Sequence, residues 1–350
     1  MAVAAKRLRW LDGVRGLAIG WVLFVHAITI FTPNGNADFP GLWGLLFYGI
    51  SGKLAVACCC VILGYFASES RQMRFAGYAI KRSLPFMLQI LLIEVIYYLL
   101  SVLLGPDSYL SSCSPALVEP VGNVLTTLLK DTFLISADLL PTFWCINDFV
   151  FGSLLVYAMQ MYLNKQTSWL AIAITLLVII LLYFLDLVWL SACVMGYLLR
   201  LLLQLELKIA KHPFFGVLLL LPIPWLIRRG ECDLTYFYDG IACLLLIYVL
   251  FQWAFIQKLF SFPPLAFLGT ITLEVFMLHV PIFELLRSIL HPVYLRFSLN
   301  TLHHTLLIIP AMLLSIGAAW LWKRYITPPV ARFCQRLAAR TESIPNKSNN

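Results

Sequence analysis

Residues 11–26 read LDGVRGLAIGWVLFVH. Arg15 puts a guanidinium near one end, His26 puts an imidazole at the other, and every residue between them is apolar or glycine. As an α-helix, eleven residues make three turns plus about 20°, so the two polar groups point the same way, about 16 Å apart along the axis. In a bilayer that puts Arg15 at a rim and His26 near the middle of the hydrocarbon. Gly13, Gly16 and Gly20 keep the helix slim enough for close packing. An ionisable residue at that depth faces a bundle interior or a wet cavity and marks a functional site. The plain alternative is an anchoring arginine and a hydrogen-bonded packing histidine.

The pattern recurs outward from this stretch. Of 350 residues, 61% are hydrophobic and 12% charged, with a mean hydropathy of +0.88; soluble domains average about 25% charged. Apolar runs of about 17–25 residues recur along the chain, long enough to span a bilayer as helices. The expected fold is all-α, a polytopic membrane bundle of about ten transmembrane helices. They fall near 15–32, 43–67, 83–104, 144–163, 168–186, 187–204, 213–228, 240–257, 265–290 and 303–323. The segment from Gly105 to Pro141 reads as a long connection, and the fifth and sixth spans meet at Asp186 with almost no loop.

Most cations fall on one side: Lys6, Arg7, Arg9, Arg15, Arg71, Arg74, Lys81, Arg82, Lys165, Arg200, Lys208, Lys211, Lys258 and the cluster from Lys323 to Lys347. The other side receives Lys130, Arg228, Arg229, Arg287 and Arg296. The rich side is cytoplasmic by the positive-inside rule, which makes both termini cytoplasmic. The net charge of +8 therefore reports topology; nucleic-acid binding would want a solvated basic domain. Residues 1–340 read as a single transmembrane domain, and TESIPNKSNN, 341–350, as a disordered cytoplasmic tail. KRLRW before an apolar run looks like a signal peptide, but no small-residue cleavage site follows, so the first helix is expected to stay.

Cys58, Cys59, Cys60, Cys193 and Cys243 lie in apolar runs as small hydrophobes. Cys113 and Cys232 lie in polar segments and could pair only in an oxidising compartment. His291, His303 and His304 fit no standard zinc spacing, and no metal is expected. No nucleophile elbow, zincin helix, P-loop or dinucleotide fingerprint is present.

LDGVRGLAIGWVLFVH resembles the first helix of the membrane acyltransferase-3 family, whose pattern LDGLRGLA runs on to a histidine, with ten residues between its arginine and that histidine. Arg15 and His26 occupy those positions. AVACCCVILGYFAS is similar to the family's second-span pattern, with Gly64-Tyr65 for its Gly-Phe. YAIKRSLPFML resembles the start of its third helix, with Arg82 and Pro85 in place, Ala79 where an arginine is usual and Lys81 nearby. LPTFWCINDFV resembles a later helix start through Trp144, with Asp148 one turn on. VMGYLLR matches through Gly196 and Arg200, and FLGTITLEVFMLHVPIF through Gly269, Thr272, Phe276, His279 and Pro281.

The resemblance implies an integral membrane O-acyltransferase of the cell membrane. It would move an acyl group, most often acetyl, from cytoplasmic acetyl-CoA to a hydroxyl of an extracytoplasmic or lipid-linked glycan. Arg15, Lys81 and Arg82 would then face the donor's phosphates, since guanidinium forks suit them; positive-inside anchoring is the bland account of the same cations. His26 would act as general base or as nucleophile, with Arg15 aligned behind it. Asp148 would orient His26, bind the acceptor hydroxyl, or sit in water at a rim. His279 reads as a site residue or as a structural histidine satisfying carbonyls freed by Pro281. Thr272 and Trp144 are candidate oxyanion donors; Glu94 and Glu284 are in-membrane acids without assigned roles. The different-class alternative is a transporter or exporter of a glycan intermediate or small solute that uses the same buried His26, Asp148 and Glu94.

Overall fold

The computed structural model describes residues 8–31, 52–70, 73–106, 108–114, 120–205, 213–223, 233–296 and 301–343. Every regular element among the described residues is helical. In chain order these are α1 (Arg9–Phe31), α2 (Gly52–Ser68), α3 (Phe75–Leu104), α4 (Tyr109–Cys113), α5 (Val121–Thr132), α6 (Trp144–Leu163), α7 (Ser168–Phe184) and α8 (Val188–Gln204). Then follow α9 (Pro213–Leu220), α10 (Asp233–Gln252), α11 (Ala254–Phe260), α12 (Pro263–Thr270), α13 (Thr272–Arg296), α14 (Thr301–Tyr325) and α15 (Thr327–Ser343).

Among the described residues, α1, α3 and Leu306–Tyr325 of α14 are long and apolar enough to cross a membrane. Two bent pairs raise the number of candidate spans from 3 to 5: Tyr236–Gln252 with α11, bent by 107°, and α12 with Thr272–Leu290, bent by 76°. Each bent pair is a broken span or a re-entrant loop, where spans at 240–257 and 265–290 are expected from the sequence. α2, α7 and α8 are apolar helices of 17 residues each.

The boundaries differ from the sequence expectation in places with identifiable causes. α1 starts at Arg9 rather than near 15, because Trp10 and Leu11 are themselves buried. The connection from Gly105 to Pro141 contains α4 and α5; α5 buries Val124 and Leu128 while Val121, Leu125 and Leu129 stay exposed. Its apolar residues recur at helical spacing without a long apolar run. The turn at Asp186 is as short as expected: Asp186 adopts φ +60°, which a short polar side chain tolerates. The tail expected to be disordered from 341 remains helical through Ser343, with Thr341 Oγ1 donating to the Ala338 carbonyl. Cys232 lies outside the described residues; Cys113 is a free thiol whose Sγ donates to the Tyr109 carbonyl.

Contacts divide the chain into two units. The first comprises Met1–Trp21, Tyr48–Phe75 and Asp148–Thr270. Here α2 and α8 meet backbone to backbone. A Cβ on Gly64 would overlap the Cys193 carbonyl, and one on Gly196 would overlap that of Val61; small residues let helices approach this closely. The start of α1 packs on α12 the same way, with Gly16 against the Leu265 carbonyl and Gly269 against that of Asp12. Arg200 Nε lies 2.6 Å from Glu69 Oε1, and Lys53 Nζ sits 3.9 Å over the Tyr236 ring.

The second unit comprises Val22–Phe47, Ala76–Asn147 and Ile271–Asn350. α13 is its axis, packed against α14 and α4. The later part of α1 joins it through Phe31 and Phe283, whose rings meet edge to face at 5.8 Å. Tyr97 OH donates to Glu284 Oε2 at 2.6 Å, the Leu110 amide donates to Ser288 Oγ at 2.7 Å, and the Arg287 guanidinium lies 4.5 Å over Tyr109. These contacts fasten α3 and α4 to α13.

Candidate active site

The second unit brings His26 of α1 against His279 of α13. His26 Nδ1 lies 2.7 Å from His279 Nε2. The ring planes are within 8° and the centroids 5.0 Å apart. A nitrogen–nitrogen distance this short between parallel rings places them edge to edge, so the hydrogen bond lies in the ring planes. His26 is half-buried and His279 has no exposed surface.

The tautomers follow from the partners. His279 Nδ1 is 3.0 Å from the carbonyl oxygens of both Val275 and Phe276. A carbonyl only accepts, so Nδ1 carries the proton and, in the neutral ring, Nε2 is an acceptor. His26 Nδ1 must then donate to it. That leaves Nε2 of a neutral His26 with its lone pair, a proton acceptor. Pro281 leaves the Met277 carbonyl without its amide partner, and His279 bonds the carbonyls of Val275 and Phe276 instead.

A second polar group lies in the same unit. Glu274, fully buried in the first turn of α13, places Oε1 3.0 Å from Lys323 Nζ of α14. Thr327 Oγ1, at the start of α15, lies 3.1 Å from Glu274 Oε1 and 3.1 Å from Gln89 Oε1, so its one proton serves one acceptor at a time. Trp322 Nε1 donates to Gln89 Oε1 at 2.9 Å. Sequence reasoning gave Glu274 no partner and passed over Gln89 and Lys323. The signal was a carboxyl in an apolar span that needed a cation.

The other expected site residues have surroundings of their own. Arg15 lies 3.7 Å from Asp12, one turn earlier on α1 and within the first unit. Lys81 is exposed and Arg82 half-buried near the start of α3, the Arg82 guanidinium 5.2 Å from the Phe86 ring. Thr272 is buried on the His279 face of α13, two turns and about 10 Å along the axis from His279. Trp144 and Asp148 share α6; Trp144 is partly exposed, Asp148 half-buried. The hydrogen-bond partner of His26 is His279. Among the described residues, no group of three or more His, Cys, Asp or Glu side chains is placed to hold a metal ion.

A family model described as an acyltransferase domain matches residues 8–321, most of the chain and every residue of both clusters except Lys323, Trp322 and Thr327. The chain belongs to the acyltransferase-3 family. No curated protein and no solved structure matches it. Several acyltransferase-3 pattern positions have packing roles here: Gly64, Gly196 and Gly269 are helix–helix contacts, and Arg200 is ion-paired to Glu69. His26 and His279, by contrast, combine into one hydrogen-bonded unit. Membership makes the protein a membrane acyltransferase by family, with an acyl donor and an acceptor as its substrates.

Proposed function

We propose that the protein is an integral membrane O-acyltransferase of the cell membrane that transfers an acyl group, acetyl in the first instance, from cytoplasmic acyl-CoA to a hydroxyl of an extracytoplasmic or lipid-linked glycan. In this reading residues 1–340 act as one domain crossing the membrane about ten times, with both termini in the cytoplasm. The supporting observation is the His26–His279 pair, in which His26 Nδ1–H is held by His279 and Nε2 remains as base.

A hydroxyl is a weak nucleophile at neutral pH. His26 Nε2 takes its proton as the oxygen attacks the thioester carbonyl. Collapse of the tetrahedral intermediate breaks the carbon–sulfur bond, and the proton on Nε2 passes to the departing CoA sulfur. His279 is a positioning residue: it fixes the tautomer and the ring plane of His26 and shares the positive charge that develops on it. Arg15, on the same helix, and Lys81 and Arg82, near the start of α3, bind the donor's phosphates. Asp148 on α6 binds the acceptor hydroxyl, and Thr272 or Trp144 supplies the oxyanion donor. No step requires a metal.

The test is thiol release from acetyl-CoA by the purified full-length protein, together with mass spectrometry of cell-surface glycans with and without the gene. The expected result is thioester consumption that depends on His26 and a mass shift of one acetyl group on the glycan. Counterflow of an unmodified solute without thioester consumption would replace this reading with a transporter.

A further inference from the structure

α15 follows a candidate membrane span almost without a break. Leu306–Tyr325 is long and apolar enough to cross a bilayer, and α15 begins at Thr327, with Ile326 alone between them. The whole of α15 is thus tethered within about 25 Å of that span's end. The end itself is built like a membrane interface. Trp320 and Tyr325 are exposed, with the Arg324 guanidinium 5.4 Å from one ring and 5.6 Å from the other; aromatic and basic residues gather at that depth.

α15 has a fixed orientation. Thr327 ties its first turn to Gln89 and Glu274, and Cys334 and Ala338 are buried beneath it. On the opposite face Arg332, Arg336 and Arg340 recur every fourth residue and fall within about 80° of arc. All three are exposed, and exposed Phe333 borders the stripe about 20° beyond Arg340. Among the described residues no acid pairs with Arg332 or Arg336. The segment from 327 to 343 carries these three arginines against one acid, Glu342.

We infer that α15 is an interfacial helix whose Arg332–Arg336–Arg340 stripe binds the phosphates of anionic lipid headgroups at the bilayer surface, with Phe333 inserted beside them. Guanidinium forks match phosphate oxygens, and an aromatic ring flanking the stripe suits a boundary between headgroups and acyl chains better than bulk water. The inference stands apart from the acyl-transfer reading, since neither histidine takes part.

The experiment measures the affinity of the full-length protein, in neutral detergent, for a fluorescent phosphatidylglycerol and for its phosphatidylcholine counterpart. A basic residue near an anionic surface contributes about 1 kcal/mol, about fivefold in affinity. Arg332→Gln with Arg336→Gln should therefore weaken phosphatidylglycerol binding by about 25-fold and leave phosphatidylcholine binding unchanged. Arg332→Lys with Arg336→Lys should keep most of it, and wild-type affinity should fall steeply with added salt. Equal wild-type affinity for the two lipids, a salt-independent affinity, or unchanged binding by the glutamine pair would overturn the inference. Displacement of the lipid by equimolar inorganic phosphate would also overturn it, by assigning the stripe to a soluble anion. The salt titration needs no variant, so the outcome stands even if the glutamine pair fails to fold.

Discussion

His279 holds His26 by a 2.7 Å in-plane hydrogen bond while both acceptable carbonyls of its own preceding turn hold His279. The chain of bonds runs in one direction, from His26 Nδ1–H to His279 Nε2 and from His279 Nδ1–H to Val275 and Phe276. Removing the last ring should therefore hurt catalysis without removing the base. His26→Ala is expected to lower thioester turnover by about 10²–10⁴-fold, the span of general-base catalysis. His279→Ala should lower kcat by about tenfold to a hundredfold, with KM for the acyl donor nearly unchanged, since the ring acts through His26. His279→Gln, which keeps an acceptor near Nε2, should recover part of the loss. Steady-state thiol release across the three variants checks this; equal kcat in wild type and His279→Ala would make the histidine a packing residue.

Glu274 and Lys323 bear on stability. The carboxyl has no exposed surface while the lysine side chain is 42% exposed. Lys323→Met strands a buried carboxylate. A fully buried pair broken this way costs about 3–5 kcal/mol, and the open lysine side discounts the figure to about 2 kcal/mol. Adding Glu274→Gln removes the stranded charge and should restore most of the loss. Thermal unfolding of the three variants in one detergent is the measurement, and a double variant no more stable than Lys323→Met would contradict the pairing.

The sequence carried the helical class and singled out His26 as a residue to examine, because both readings rest on local quantities: run length, and a polar residue where hydrocarbon penalises it. It carried Gly16 and Gly20 as packing residues for the same reason, although Gly20 meets only a side chain, Leu268, at ordinary contact distance. It could not carry the partner of His26. Residues 26 and 279 are distant in the chain, and nothing local distinguishes a paired histidine from a structural one. Spacing says nothing of which helix lies beside which, so the sequence left the role of Asp148 open. α5 escaped for a different reason: twelve residues of mixed polarity have no run length to detect.

Asp131 at the end of α5 gathers the turn that follows it, while Glu94 on α3 is a buried acid. Asp131 accepts from Ser136 Oγ and from the amides of Asp138, at 3.1 Å, and Leu139, at 2.8 Å. Both carboxyl oxygens of Glu94 on α3 are buried with no hydrogen-bond partner among the described residues. Glu94→Gln puts a neutral amide of the same shape in place of the buried acid, leaves the Asp131 bonds untouched, and should keep stability within about 0.5 kcal/mol of wild type. Asp131→Ala loses the acceptor for all these groups and should cost about 2–4 kcal/mol. Amide hydrogen exchange reports the same event locally: Asp138 and Leu139 should exchange faster in Asp131→Ala and as in wild type in Glu94→Gln.

The glycines of α2 and α8 give a prediction with its own control. A Cβ at Gly64 or Gly196 would overlap backbone atoms of the facing helix, which cannot rotate away as a side chain can. Gly64→Ala or Gly196→Ala must push the helices apart along their whole contact, at a cost of about 1–3 kcal/mol or more from overpacking. A Cβ at Gly317 of α14 would meet nothing within 4 Å. Gly317→Ala should therefore gain about 0.5–1 kcal/mol from helix propensity alone. Opposite shifts in thermal stability for the same chemical change would tie the two apolar helices of the first unit to direct backbone contact. A Gly196→Ala variant as stable as Gly317→Ala would show that α2 and α8 do not touch there.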